Sequence, residues 1–503
     1  MRPYISKESQ VTSGKAPSDE LRIGVTFRRP QDRLGPSKAP ARLSAASVMS
    51  FAPDPYDVDL ALHELHRRGF VTSCRGRLSA SVRGTRAQFE KVFGTKLSAT
   101  RLNAKQDYQF HSLYYPAPDA PWSPDAALME LIDDAYIQWP HIYMGRRLAP
   151  KRPRVANLAR AASATPPTVN FFHLEIPRDL TRLLNVARVH QTGMTGKGIR
   201  IVMIDTGFQH SHPFFTSHGF TSSVVLAPGA TNRDTDPGSH GTGESANIFS
   251  LAPDATFIGI KLENDSDPNA GASILEGFQE ALRHQPHVIS VSMGYDLRAD
   301  DGRTPLDQLP GSLKALEAEI HAAIASGVVV VFSAGNGHYS FPGQMPDVIS
   351  AGGVFVDSDA TMRASDYASA FQSRIYSGRN VPDFCGLVGL LPNADYIMLP
   401  VPVGQEIDKK NAQHDGTTAN DGWAVFSGTS AAAPQLAGIC ALLLQKNPSL
   451  KGADIKAILK RTALQVVNGS ANPVSDPNGV GETAADGATG AGLVDAFAAF
   501  QQA

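Results

Sequence analysis

A chain of 503 residues is too long for one ordinary hydrophobic core, and 42% hydrophobic with 19% charged residues is a globular composition, so two or more packed domains are expected. A formal net charge of −2 gives no field to steer a polyanion or hold a membrane surface, and no run approaches the ~18 to 20 apolar residues of a spanning helix. Nucleic acid and membranes are therefore not expected as partners.

Residues 1–20 are polar and unpatterned, a flexible tail without the apolar core of a secretory signal, so a cytoplasmic location is expected rather than export. In LRIGVTFRR, Leu21, Ile23, Val25 and Phe27 alternate with polar or small residues, the period of a half-buried strand. Residues 57–68 place Val58, Leu62 and Leu65 on one helical face and stop at Gly69. Residues 70–74 and 78–82 alternate as strands, and Thr85 with Gln88 makes a capping box for the helix RAQFEKVF, which ends at Gly94. Residues 96–102 supply a fourth strand. The order strand, helix, strand, strand, helix, strand predicts a ferredoxin-like α+β domain over 21–145, with a further helix at 125–134 and an extended AYIQWPHIYM behind it.

Residues 146–170 are basic and rich in Ala and Pro, an exposed linker open to proteolysis. From 171 to 503 short β-branched runs at 199–204, 256–262, 288–292 and 328–333 alternate with helical patterns at 272–284 and 313–326. They predict an α/β domain with a parallel sheet and helices on both faces. Cys74, Cys385 and Cys440 are odd in number and far apart, which fits neither a disulfide framework nor a metal cluster.

Three segments of this second domain carry chemistry. The strand IRIVMIDTG ends in Asp205, SHGTGESANIF puts His240 at a helix start, and FSGTSAAAPQLAGICALLL puts Ser430 at the start of an apolar helix. A nucleophilic serine needs a base to take its proton and a carboxylate to fix that base's tautomer, and Asp, His, Ser is one of the chain orders in which this occurs. Taken singly, Asp-Thr-Gly also marks an ordinary turn. His210, His212 and His218, clustered in one loop, are expected to carry no chemistry.

At these three motifs, from about residue 180 to 497, the chain resembles the subtilisin family. The resemblance implies a subtilisin-like fold and a serine endopeptidase with Asp205, His240 and Ser430 as its triad. VVVVFSAGNG is similar to the family's oxyanion segment, which gives Asn336 that role. VISVSMG resembles the substrate-pairing strand, so Ser292, Met293 and Gly294, with Ala334 and Gly335 opposite, would line the first subsite. A protein or peptide substrate is implied, and no cofactor is required. Residues 296–310 and 385–421 look like insertions beside the cleft, and the short IFSLAPDA turn leaves no room for a long calcium loop.

SVRGTRAQFEKVFGTKL resembles the activation prodomain of sedolisin and kumamolisin peptidases, which implies a self-inhibited precursor with this domain as intramolecular inhibitor. Sedolisins carry acids where this chain has His240 and Asn336, so histidine chemistry is expected. A noncatalytic protein-binding pseudoprotease and a sedolisin-type acid peptidase are the alternatives. ADGATGAGLVDA is similar to the end of the sedolisin calcium loop, but its partner acid is replaced by Gln465, so a plain surface turn is expected over structural calcium. Glu244 stands one helical turn after His240. The plain expectation is a solvated helix-start glutamate, and the alternative is a second acid serving the imidazole.

Overall fold

The computed structural model describes residues 19–39, 42–101, 109, 112–116, 122–143, 162–299, 301–475 and 484–503, and the expected tail and linker fall for the most part outside them. In the carboxyl-terminal domain an eight-stranded sheet runs in the order Met362–Ala364, Ile349–Val356, Val329–Ser333, Val288–Val291, Arg200–Asp205, Thr256–Lys261, Ser222–Leu226, with Phe384–Leu387 also paired to Ile349–Val356. All neighbours are parallel except Met362–Ala364.

Ile201 and Met203 belong to the core built with the helices His240–Leu251 and Thr429–Lys446, whereas Val202 and Ile204 belong to the opposite core with Ile274–Arg283 and Lys314–Ala325. Burial on both faces is why these strands read as unbroken apolar runs. Asp205, Ser292 to Gly294, and Ala334 to Asn336 all lie at or just past the carboxyl ends of central strands, where open parallel sheets form their crevice. The 385–421 stretch is more than an inserted loop. Its start lies in the main sheet, and Ile397–Pro400 pairs with Trp423–Val425 and Leu174–Glu175.

The amino-terminal domain holds an antiparallel sheet in the order Val71–Arg75, Ser79–Thr85, Glu20–Phe27, Ile132–Ile137. Its helices Pro55–Arg67 and Arg86–Val92 contribute Val58, Leu65, Phe89 and Val92 to the core under Leu21, Ile23, Val25 and Phe27, and the Thr85–Gln88 capping box is present. Two expectations fail. The fourth strand of this sheet is Ile132–Ile137, while Leu97–Arg101 forms a separate ribbon with Ser112–Pro116. The helix expected at 125–134 is only Ala126–Met129. Ala135 and Ile137 alternate into the core, and Asp133, which looked like a helix-surface acid, accepts the Ser37 N–H at 2.8 Å.

The polar face of this sheet does not meet water. Ser81 Oγ donates to Gln279 at 2.8 Å, Ser73 Oγ donates to Glu276 at 2.7 Å, and Arg83 pairs with Glu276 at 3.2 Å. Glu319, fully buried, accepts the backbone N–H groups of Arg77, Leu78 and Ser79 at 3.0, 2.9 and 2.7 Å, and the Ser79 hydroxyl. The polar residues of Val71–Arg75 and Ser79–Thr85 therefore mark a face for two helices of the other domain. The three cysteines are free and buried, and among the described residues no helix is long and apolar enough to cross a membrane.

Candidate active site

Asp205 closes its strand, and its Oδ1 accepts the N–H of Thr206 and the Nδ1–H of His240, both at 2.7 Å. His240 opens its helix from Ser239, which takes a left-handed φ of 64°. A Cβ on Gly241 would stand 2.3 Å from the Gly207 carbonyl, so only glycine lets the helix start this close to Asp205. Asp236, buried, accepts the Thr242 N–H at 2.8 Å and the Thr206 hydroxyl at 2.7 Å, which ties the first turn of the helix to the end of the strand. Burial pushes its carboxyl up to about 7.

Ser430 is the second residue of the Thr429–Lys446 helix, at the positive end of its dipole. Its hydroxyl donates to the Ser292 carbonyl at 3.4 Å, and the Ser292 hydroxyl donates to the Ser430 carbonyl at 2.8 Å. Asn336 Oδ1 accepts both the N–H and the hydroxyl of Thr429, at 3.0 and 2.9 Å, so its amide plane is fixed next to the residue before Ser430 with Nδ2 as its donor end. Gly335 sits at φ 105° and gives its N–H to Thr429 Oγ1. The Ala334 N–H donates to the Ala351 carbonyl, and the Met293 side chain belongs to the core. Gly294 exchanges both backbone hydrogen bonds with Ile142 of the amino-terminal domain's tail, at 2.8 and 3.2 Å.

Glu244 is not a solvated surface residue. It is 1% exposed, its Oε1 lies 3.9 Å from His240 Nε2, and its Oε2 accepts from Asn247, whose own Oδ1 takes a hydrogen bond from Gln435 of the Ser430 helix. Burial pushes the Glu244 carboxyl up to about 8. Burial also works against a charged His240, but the carboxylates of Asp205, Glu244 and Asp236 outweigh it and hold the imidazole up at about 9. Removing one of those negative charges lowers the imidazole's pKa. Glu244→Gln is therefore expected to lower the pKa of the His240 imidazole, read from its NMR titration across pH 5–11; a titration that stays in place would show that Glu244 does not act on His240.

The matching of known sequences follows the same residues. A family model described as the subtilase family matches residues 196–492, more than half of the chain. The chain belongs to the subtilase family. Subtilisin NAT of Bacillus subtilis subsp. natto is 25% identical over 298 residues, which are 56% of this chain and 64% of that relative. Serine protease AprX of Bacillus subtilis (strain 168) is 29% identical over 319 residues, 57% of this chain and 66% of that one. The chain thus spans just under two thirds of the length of these relatives. The crystal structure of fervidolysin from Fervidobacterium pennivorans superposes with a TM-score of 0.53 at 18% identity, covering 99% of this chain and 63% of that one, and bears on the fold.

In this subtilase the described part of the carboxyl-terminal turn packs against Asp383. The Ala491 N–H donates to the Asp383 carbonyl, and the Asp383 carboxylate is already paired with Arg379, Lys456 and Lys460. Cations crowd the place where a divalent ion would need oxygen ligands. Among the described residues no group of three or more His, Cys, Asp or Glu is arranged to hold a metal ion. Sequence reasoning missed Asp236, which joins Thr242 six residues on to Thr206 thirty residues back, and Glu263, whose partner Tyr143 lies 120 residues away along the chain.

Proposed function

We propose that this subtilase is a serine endopeptidase made as a self-inhibited precursor, with its amino-terminal domain as intramolecular inhibitor and unfolded protein or peptide segments as substrates. The observation that carries the reading is the pairing of Ile142 with Gly294: an antiparallel bridge sets the chain's own amino-terminal domain on the backbone two residues past Ser292, whose carbonyl accepts the Ser430 hydroxyl. Strand addition of this kind recognises main chain first and so takes segments free to become extended.

In the reaction, Ser430 Oγ attacks the scissile carbonyl while its proton passes to His240 Nε2. Asp205 holds the Nδ1–H, fixes the tautomer and stabilises the imidazolium. Asn336 Nδ2 and the Ser430 N–H at the helix start receive the oxyanion, and water then releases the acyl group by the same steps in reverse. Self-cleavage is expected between residues 144 and 168, mostly outside the described residues. Purified wild type should run as two fragments; one uncut chain after prolonged incubation, together with no hydrolysis of unfolded casein, would refute the reading.

Inhibition by the amino-terminal domain depends on Glu319. Alanine there leaves three backbone N–H groups of the Arg77–Ser79 turn facing a cavity, a loss of about 2–3 kcal/mol or roughly 30- to 150-fold in affinity. After processing, the wild-type fragments should co-elute in gel filtration and the Glu319→Ala fragments should separate, with a matching earlier onset of peptide hydrolysis. Co-elution of the variant's fragments at the same dilution would assign retention to other contacts.

A further inference from the structure

Ile142 and Gly294 exchange both N–H to carbonyl bonds, the hydrogen-bonded type of antiparallel pair. The next such pair lies two residues on along each strand, which on the Gly294 side is Ser292, the residue whose carbonyl accepts the Ser430 hydroxyl. A substrate strand in this register therefore presents to the nucleophile the residue two beyond the Ile142 place, and the Tyr143 place is the residue immediately before it.

Tyr143 is 5% exposed, grouped with the core of the carboxyl-terminal domain, and its hydroxyl donates to Glu263 Oε1 at 2.7 Å. His141, on the same face of the strand, meets the Tyr143 ring edge to face at 5.0 Å. Glu263 follows the Thr256–Lys261 strand, and its N–H donates to the carbonyl of Thr206, the neighbour of Asp205. Its Oε2 lies 3.3 Å from where a Cβ on Gly238 would stand, two residues before His240. The pocket that takes the Tyr143 side chain is thus walled by the two loops that carry the proposed base and its carboxylate.

We propose that Glu263 is a specificity-determining residue, selecting tyrosine at the substrate position directly before the residue whose bond is cut. The inference rests on the peptidase reading above. A carboxylate accepting from a phenol is a charge-assisted hydrogen bond, and a site that bonds a substrate hydroxyl in this way favours it over the analogue that lacks it, because that bond is then lost. Glu263 is half-buried, so the discrimination is moderate, about 10- to 100-fold between Tyr and Phe. In the same register the bond cut in the chain itself follows Met144.

The test uses the processed enzyme and three peptides that differ only at that position, carrying Tyr, Phe or Ala. Wild type should cut the Tyr peptide with a kcat/KM about tenfold or more above the Phe peptide. Glu263→Leu should bring the ratio to one or invert it, and Glu263→Gln, which keeps an acceptor, should fall between. The processed wild-type protein should begin at Gly145. A Tyr to Phe ratio within twofold in wild type, or one unchanged in Glu263→Leu, overturns the assignment of Glu263 while leaving the peptidase reading intact. Failure to cut any of the three peptides or unfolded casein overturns both.

Discussion

Ser430→Ala should leave one chain of full length and lower peptide hydrolysis by about 10⁶-fold, the loss known for the corresponding serine in subtilisin, a member of the same family. The reason is chemical. The other hydroxyl at the helix start, that of Thr429, is engaged by Asn336 and Gly335, and the imidazole of His240, held by Asp205 at 2.7 Å, has no Ser430 proton to take once that hydroxyl is gone. The alanine leaves the fold in place, because Ser430 is 4% exposed and its one side-chain hydrogen bond is long, 3.4 Å to Ser292. Intact mass spectrometry reads the processing and a fluorogenic peptide reads the rate. An alanine variant cut as completely as wild type in protease-free preparation would assign the cut to another enzyme.

Asn336→Ala should slow turnover by about 10²- to 10³-fold with little change in KM, a magnitude that also comes from subtilisin. The donor matters once the carbonyl oxygen becomes an oxyanion, so ground-state binding by the Ile142-like strand on Gly294 is untouched. Asn336 is set for this by Thr429, which engages its Oδ1 twice and leaves Nδ2 as the donor end. Stability should also fall, since Thr429, fully buried, loses the acceptor of its N–H and hydroxyl. Steady-state kinetics on one peptide separates the two effects; a variant within a factor of two of wild type in kcat would move the oxyanion site elsewhere.

Much of the carboxyl-terminal fold was legible because parallel strands buried on both faces leave unbroken β-branched runs, and VVVVFSAGN or IRIVMIDTG carries that signal undiluted. Ile349–Val356 was harder to see, since ISAGGVFV has two central glycines that weaken the strand pattern. In the amino-terminal domain the Thr85–Gln88 box is a local signal and held, whereas the partner of the Glu20–Phe27 edge is decided by tertiary pairing. The helix expected at 125–134 stops at Met129, because nothing in the sequence tells that Asp133 accepts the Ser37 N–H from a strand that pairs with Glu20–Phe27. Asp205, His240, Ser430 and Asn336 could be named from motifs. The one-turn spacing offered Glu244 as a second acid beside His240 but left a solvated surface residue as the plainer reading, because its burial depends on the Ser430 helix packing over it through Gln435 and Asn247.

The most direct test of the central proposal, that Asp205 and His240 make Ser430 a nucleophile which the chain's own amino-terminal domain covers, is mass spectrometry of the protein after treatment with a fluorophosphonate. The expected result is one adduct per chain, on the peptide that contains Ser430, formed quickly on processed protein freed of its amino-terminal fragment, slowly on the covered precursor, and lost in His240→Ala. A folded, uncovered protein that leaves Ser430 unlabelled, or that labels equally well without His240, would contradict it.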